Sequence, residues 1–182
     1  MKTNQFILTA LVILLFGLPS YAQTEKDKSI GFGGPSFINT TFAGDWAFEA
    51  GGLGGGFATK NIYIGGGGFG LEVKKNNYNY TMGYGGLMLG HLWGGNEKTA
   101  INFYVLGGYG GASEDGKDIE KEGDDFWVVR PAAEIDFLIT NWMRIGVGGG
   151  YRWVTGSNLI TVDDGDLSAP FGSITFRFGN WR

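Results

Sequence analysis

The residues of this chain best suited to chemistry are charged side chains set at even spacing among apolar ones. Arg130, Glu134 and Asp136 share one parity of the stretch beginning at Phe126, and Arg144 and Arg152 share one parity of the stretch ending at Trp153. Near the C-terminal end Arg177 repeats the pattern with Ser173 and Thr175, and Glu49 stands opposite Trp46, Phe48 and Ala50. Successive side chains of a strand point to opposite faces, so each stretch has one face fit for hydrocarbon and one that gathers charge. Charges enclosed on such a face must pair. They either fill an interior as an ion-pair network or line a narrow polar path that selects ions or solutes by charge. Glu72 is a further candidate for that face.

Other chemistry is thinly represented. His91, the only histidine, shares parity with Leu87, Leu89 and Trp93, which places it on the apolar face. General acid–base catalysis needs a positioned pair. None is evident, so no catalytic residue is expected. Asp163, Asp164 and Asp166 suggest a weak divalent-cation contact, yet they lack the spacing and closing glutamate of an EF-hand, and a solvated loop is the plainer expectation. No phosphate-cradling loop, metal-ligand cluster or nucleophile elbow stands out, and no cofactor is expected.

The elements that must position these residues follow from the same alternation. Trp127, Val129, Ala133, Ile135, Phe137 and Ile139 form the apolar parity of one strand; after a turn at Thr140 and Asn141, Met143, Ile145, Val147, Tyr151 and Trp153 form that of the next. This two-faced hairpin is the signature of a transmembrane β-barrel. Further strands are expected over 29–38, 46–58, 62–74, 78–93, 100–112 and 170–181, with Pro35 marking a strand end or bulge. A bulge would also explain the blurred pattern of the third and fourth strands. The count is eight, so the predicted fold is all-β: an eight-stranded antiparallel up-and-down transmembrane β-barrel.

Connections alternate as such a barrel requires, with short turns at Lys60, Asn96 and Asn141 and longer loops between them. The loop over 113–125 holds seven acids and two lysines, and that over 156–169 adds three acids, so negative charge is expected outside the cell. Aromatic girdles are expected at both rims: Tyr63, Trp93, Phe103, Phe137, Trp142 and Trp181 at the periplasmic one, and Trp46, Tyr78, Tyr80, Trp127, Tyr151, Trp153 and Phe171 at the external one. Thirty-five glycines cluster at matched heights about the turns. They suit a narrow, strongly curved wall and leave room inside for long Arg and Glu side chains or water.

Lys2, the apolar run from Phe6 to Leu18, and Ser20 and Ala22 before Gln23 read as a signal peptide over 1–22, followed by a polar lead-in over 23–28 and the barrel over 29–182. Fourteen cationic against 18 acidic side chains become 13 against 18 once Lys2 is removed, a net charge of −5. That argues against nucleic-acid binding. The chain has no cysteine, which excludes disulfides and thiolate metal sites.

The eight expected strands, the leader and the aromatic-rich last strand resemble the small outer-membrane β-barrels of the OmpX and OmpA transmembrane-domain type, within the broad porin-like group. The run Gly172 to Phe178 resembles the C-terminal signal read by the barrel assembly machinery, although here the chain continues to Arg182. The resemblance implies a monomer in a Gram-negative-type outer membrane, with outer-membrane lipid, lipopolysaccharide and the assembly machinery as partners. The leading expectation is a non-enzymatic structural or surface-interaction protein with a charge-filled lumen. A narrow porin-like channel for ions or small solutes is the alternative, and a soluble lipocalin-like binder a third.

Overall fold

A computed structural model describes residues 31–75, 78–95, 97–116, 119–157 and 162–181. The expected leader and lead-in lie outside these residues. Eight strands run in chain order: β1 (Gly31–Phe42), β2 (Asp45–Phe57), β3 (Ile62–Lys75), β4 (Tyr78–Trp93), β5 (Thr99–Gly116), β6 (Ile119–Thr140), β7 (Met143–Thr155) and β8 (Ala169–Gly179). Each is antiparallel to the next, and β1 pairs with β8 to close the barrel. Closure removes the unpaired edges that an open sheet would expose.

Alternation sorts the side chains as the sequence predicts. Trp127, Val129, Ile135, Phe137, Val147 and Trp153 are exposed on the outer wall, while Arg130, Glu134, Asp136, Arg144, Arg152 and Arg177 are buried in the lumen. The outer wall is thus a continuous apolar surface far beyond what a soluble monomer shows. Tyr63, Tyr80, Phe171 and Trp181 depart from the expected girdles: all four are buried in the interior. Tyr63, Tyr80 and Phe171 sit on the lumen parity of their strands. Trp181 follows β8, its backbone N–H donating to the Asn141 carbonyl at 3.0 Å.

Several boundaries also differ. The acidic segment expected as a loop over 113–125 is largely a ribbon, because β5 and β6 continue pairing through Ser113↔Gly123 and Glu114↔Glu122. Loss of the apolar face ended the sequence-based strand, but antiparallel pairing in water does not need that face. β1 runs on to Phe42 and turns at Ala43 (φ 47°) and Gly44 (φ 82°), the pair of positive angles that joins two twisted strands most tightly. Pro35 lies within β1, paired with Gly52, where the ladder to β8 skips from Gly33↔Phe178 to Ser36↔Thr175. Proline has no N–H to give that seam. β3 and β4 pair without interruption from Ile62↔His91 to Lys75↔Tyr78, so their blurred pattern comes from glycines on both faces rather than a bulge. Glu72, on the outward parity, is exposed.

One short helix, α1 (Asp164–Leu167), stands in the connection between β7 and β8. It lies at the upper end of the barrel, with the β1–β2 turn; the lower end carries the β2–β3, β4–β5 and β6–β7 turns.

Candidate functional site in the barrel lumen

The lower lumen is organised by three adjacent strands. Across β6, β7 and β8 the register aligns Glu134 with Gly148 and Ser173, and Asp136 with Gly146 and Thr175. The two glycines leave the middle strand bare, so carboxylates from β6 reach partners on β8 above it. Arg177 Nη1 donates to Asp136 Oδ1 at 2.7 Å, and Arg177 Nη2 pairs with Glu134 Oε2. Ser173 Oγ and Thr175 Oγ1 donate to Glu134 Oε1 at 2.7 and 3.0 Å, Tyr104 OH reaches the same oxygen at 3.3 Å, and Ser36 Oγ meets Thr175 Oγ1 at 2.9 Å. A Cβ at Gly146 would fall within 2.6 Å of Asp136 Oδ1 and 2.8 Å of Glu134 Oε2. Glycine here is the space the ion pair occupies.

A second ion pair spans the upper lumen. Arg152 from β7 pairs through Nη1 with Glu49 Oε2 on β2, and Tyr84 OH donates to Glu49 Oε1 at 2.5 Å. Arg152 Nε also donates to the Leu167 carbonyl of α1 at 2.8 Å. Ala43 N–H donates to the Asp166 carbonyl at 3.1 Å, which ties α1 to the β1–β2 turn, and Leu167 is fully buried beneath it. Phe42, also fully buried, packs into the same end against Tyr80, at 5.3 Å between ring centroids.

Trp181 is buried in the lower end of the lumen. Its ring lies 5.7 Å from that of Phe32 and 6.2 Å from that of Phe57, and Arg144 Cζ sits 5.2 Å over it. Arg144 Nη2 donates to the carbonyls of Gly95 (2.5 Å) and Glu97 (2.9 Å), fastening the plug to the β4–β5 turn.

All seven charged residues expected in the lumen are therefore inside, but they do not form one network. Two ion-paired clusters hold Glu49 with Arg152 and Glu134 and Asp136 with Arg177. Arg144 is held by carbonyls and Trp181. Arg130, fully buried, meets no carboxylate among the described residues: its guanidinium carbon lies 4.0 Å from the Phe69 ring centroid and 4.2 Å from that of Phe171. Phe69, Tyr84, Tyr104 and the Tyr63–Asn102 hydrogen bond of 2.8 Å were not among the features expected of the lumen. Their lumen parity was the available signal; which charge each would meet depends on barrel closure. Glu114, expected in an external loop, is buried at the upper end of β5.

The weaker candidates take other roles. Asp163 Oδ1 accepts from Asp166 N–H at 2.9 Å and Asp166 Oδ2 accepts from Asp163 N–H at 3.2 Å, a reciprocal cap for α1. Asp164 accepts from Gly156 and Ser157 N–H at 2.9 and 2.8 Å. These carboxylates thus serve backbone donors, and among the described residues no group of three or more His, Cys, Asp or Glu is placed to hold a metal ion. His91 is exposed on the outer wall, paired with Phe103 and Ile62.

No family model matches the sequence, and no curated protein is similar to it. Solved structures share its architecture. Neisserial surface protein A is similar with a TM-score of 0.63 at 10% identity, over 84% of this chain and 96% of that one. The N-terminal β-barrel domain of Pseudomonas aeruginosa OprF is similar with a TM-score of 0.56 at 9% identity, over 82% and 96%. At such identities the likeness is one of fold. This chain has the fold of the small eight-stranded outer-membrane β-barrels.

Proposed function

We propose that the chain is a non-enzymatic outer-membrane protein, delivered after removal of residues 1–22, that serves a structural or surface-interaction role and does not conduct. The observation that carries this reading is the burial of Leu167 of α1 at the upper end and of Trp181 at the lower, around ion-paired and aromatic layers. An apolar outer wall over a charged interior supports a bilayer location and is the reverse of a lipocalin-like binder, which needs an apolar cavity and a polar exterior. With the termini on the periplasmic side, the acidic ribbon at the top of β5 and β6 and the α1 connection face outward. Outer-membrane lipid and lipopolysaccharide surround the wall, the barrel assembly machinery inserts it, and a monomer suffices because closure leaves no strand edge in the barrel.

The column of arginines and carboxylates favours a second reading, a narrow channel, since the same groups would select ions if water threaded between them. Refolding the mature chain into vesicles that hold a salt gradient and an ion-sensitive dye separates the two. A heat-dependent gel mobility shift confirms the folded barrel, and an unchanged dye signal is expected. Collapse of the gradient by the folded protein would favour the channel. Failure to enter vesicles, with the mature chain soluble in the absence of detergent, would remove the membrane assignment.

A further inference from the structure

We propose that the lumen contains a binding site for one small monovalent anion, of the halide or carboxylate class, at the edge of the Arg130 guanidinium. Arg130 is completely buried, and its Nε, Nη1 and Nη2 have no hydrogen-bond partner among the described residues. A guanidinium is charged at any relevant pH and presents five N–H donors in one plane. Phe69 and Phe171 cover its faces with ring electrons. Ring faces attract the cation but offer its N–H groups no acceptor in their own plane. What the rings leave is the edge, where every donor points.

Charge balance in the lumen gives an independent reason. From Arg152 down to the Trp181 plug, the described lumen holds four arginines against three carboxylates. Glu49 answers Arg152, and Glu134 and Asp136 answer Arg177, which leaves one positive charge in excess. Arg144 has carbonyl partners; Arg130 has none. Glu114 is also buried, but it lies eight residues along β5 from Leu106, the residue paired with Arg130. That is about 27 Å at roughly 3.4 Å per residue. The register on either side, Val129↔Trp153 and Ala132↔Gly150, also makes Arg130 and Arg152 cross-strand neighbours, of which Arg152 is the one paired with Glu49. A small anion in the guanidinium plane supplies the missing charge and the missing acceptor together. One excess positive charge is matched by a monovalent species, which disfavours sulfate or phosphate with their higher charge.

The proposal goes beyond a non-conducting role and does not depend on it, because an anion enclosed during folding needs no open pathway. Crystals of the refolded mature protein grown in sodium bromide, measured at the bromine absorption edge, test it directly. An anomalous peak within hydrogen-bond distance of the Arg130 donors is expected; a position filled by water, with no bromine signal, would overturn the site. Thermal unfolding in chloride against sulfate at constant ionic strength gives a second reading. At about ten times its dissociation constant, a bound anion multiplies the folding constant about 11-fold, which raises the midpoint of a chain this long by about 3–6 °C. Arg130→Met should abolish that rise. A wild-type midpoint indifferent to chloride, or one that responds equally in Arg130→Met, would contradict the proposal. Should that variant not fold, the bromide crystal decides.

Discussion

The surroundings of Arg177 and of Arg130 solve the same problem in opposite ways. Both guanidiniums are enclosed by the same barrel, but Arg177 sits where β7 is bare at Gly146 and Gly148, so Glu134 and Asp136 from β6 can reach it. Arg130 instead extends between Phe69 of β3 and Phe171 of β8. Glycine also makes that space: a Cβ at Gly51 would lie 2.6 Å from Phe69 Cδ1, and one at Gly150 would lie 2.8 Å from Phe171 Cζ. The difference teaches that inward glycines decide what a buried cation meets. Where the strand between two polar strands is bare, charge answers charge; where glycines admit phenyl rings, faces are covered and edges are left over.

The sharpest way to break this contrast is Arg177→Met, which strands two buried carboxylates. A loss of about 3–5 kcal/mol in urea unfolding is expected. Adding Glu134→Gln and Asp136→Asn should restore part of it, because the uncompensated charges disappear. Gly146→Ala tests the role of the bare strand: its Cβ has no place beside Asp136 Oδ1 and Glu134 Oε2, and a loss of about 1–3 kcal/mol is expected. In the other region, Phe171→Leu keeps the apolar volume but removes one ring face from Arg130, and should cost about 1–2 kcal/mol. If Arg130→Met made Phe171→Leu harmless, the cost would be assigned to that contact. The smallest effect lies outside both regions. Ala43 holds a positive φ that glycine adopts freely, so Ala43→Gly should stabilise by about 0.5–1 kcal/mol.

Much of this molecule was legible in the sequence because a barrel reduces the folding code to parity. Trp127 through Ile139 and Met143 through Trp153 could be assigned to the outer wall, and Arg130 through Arg177 to the lumen, without knowing which strands close the ring. Parity failed where it stopped discriminating. In β3 and β4 glycines occupy both faces, so Glu72 could not be turned outward with assurance. Above the apolar wall both faces of β5 and β6 become polar, so the paired ribbon looked like a loop. Trp181 lies beyond the last strand, where alternation says nothing about a plug. Pairing across the lumen, such as Glu49 with Arg152, depends on closure between strands five positions apart, and no local pattern carries it.

On the proposed reading this lumen is a packed core, with Leu167 and Trp181 set into its two ends, rather than a pathway. Single-channel recording of the refolded mature protein in a planar bilayer tests it most directly, with the heat-dependent gel shift establishing that the barrel is folded. A silent membrane is expected. Steady conductance from the folded barrel, with an ion preference that changes in an Arg130→Ala and Arg152→Ala double variant, would contradict it.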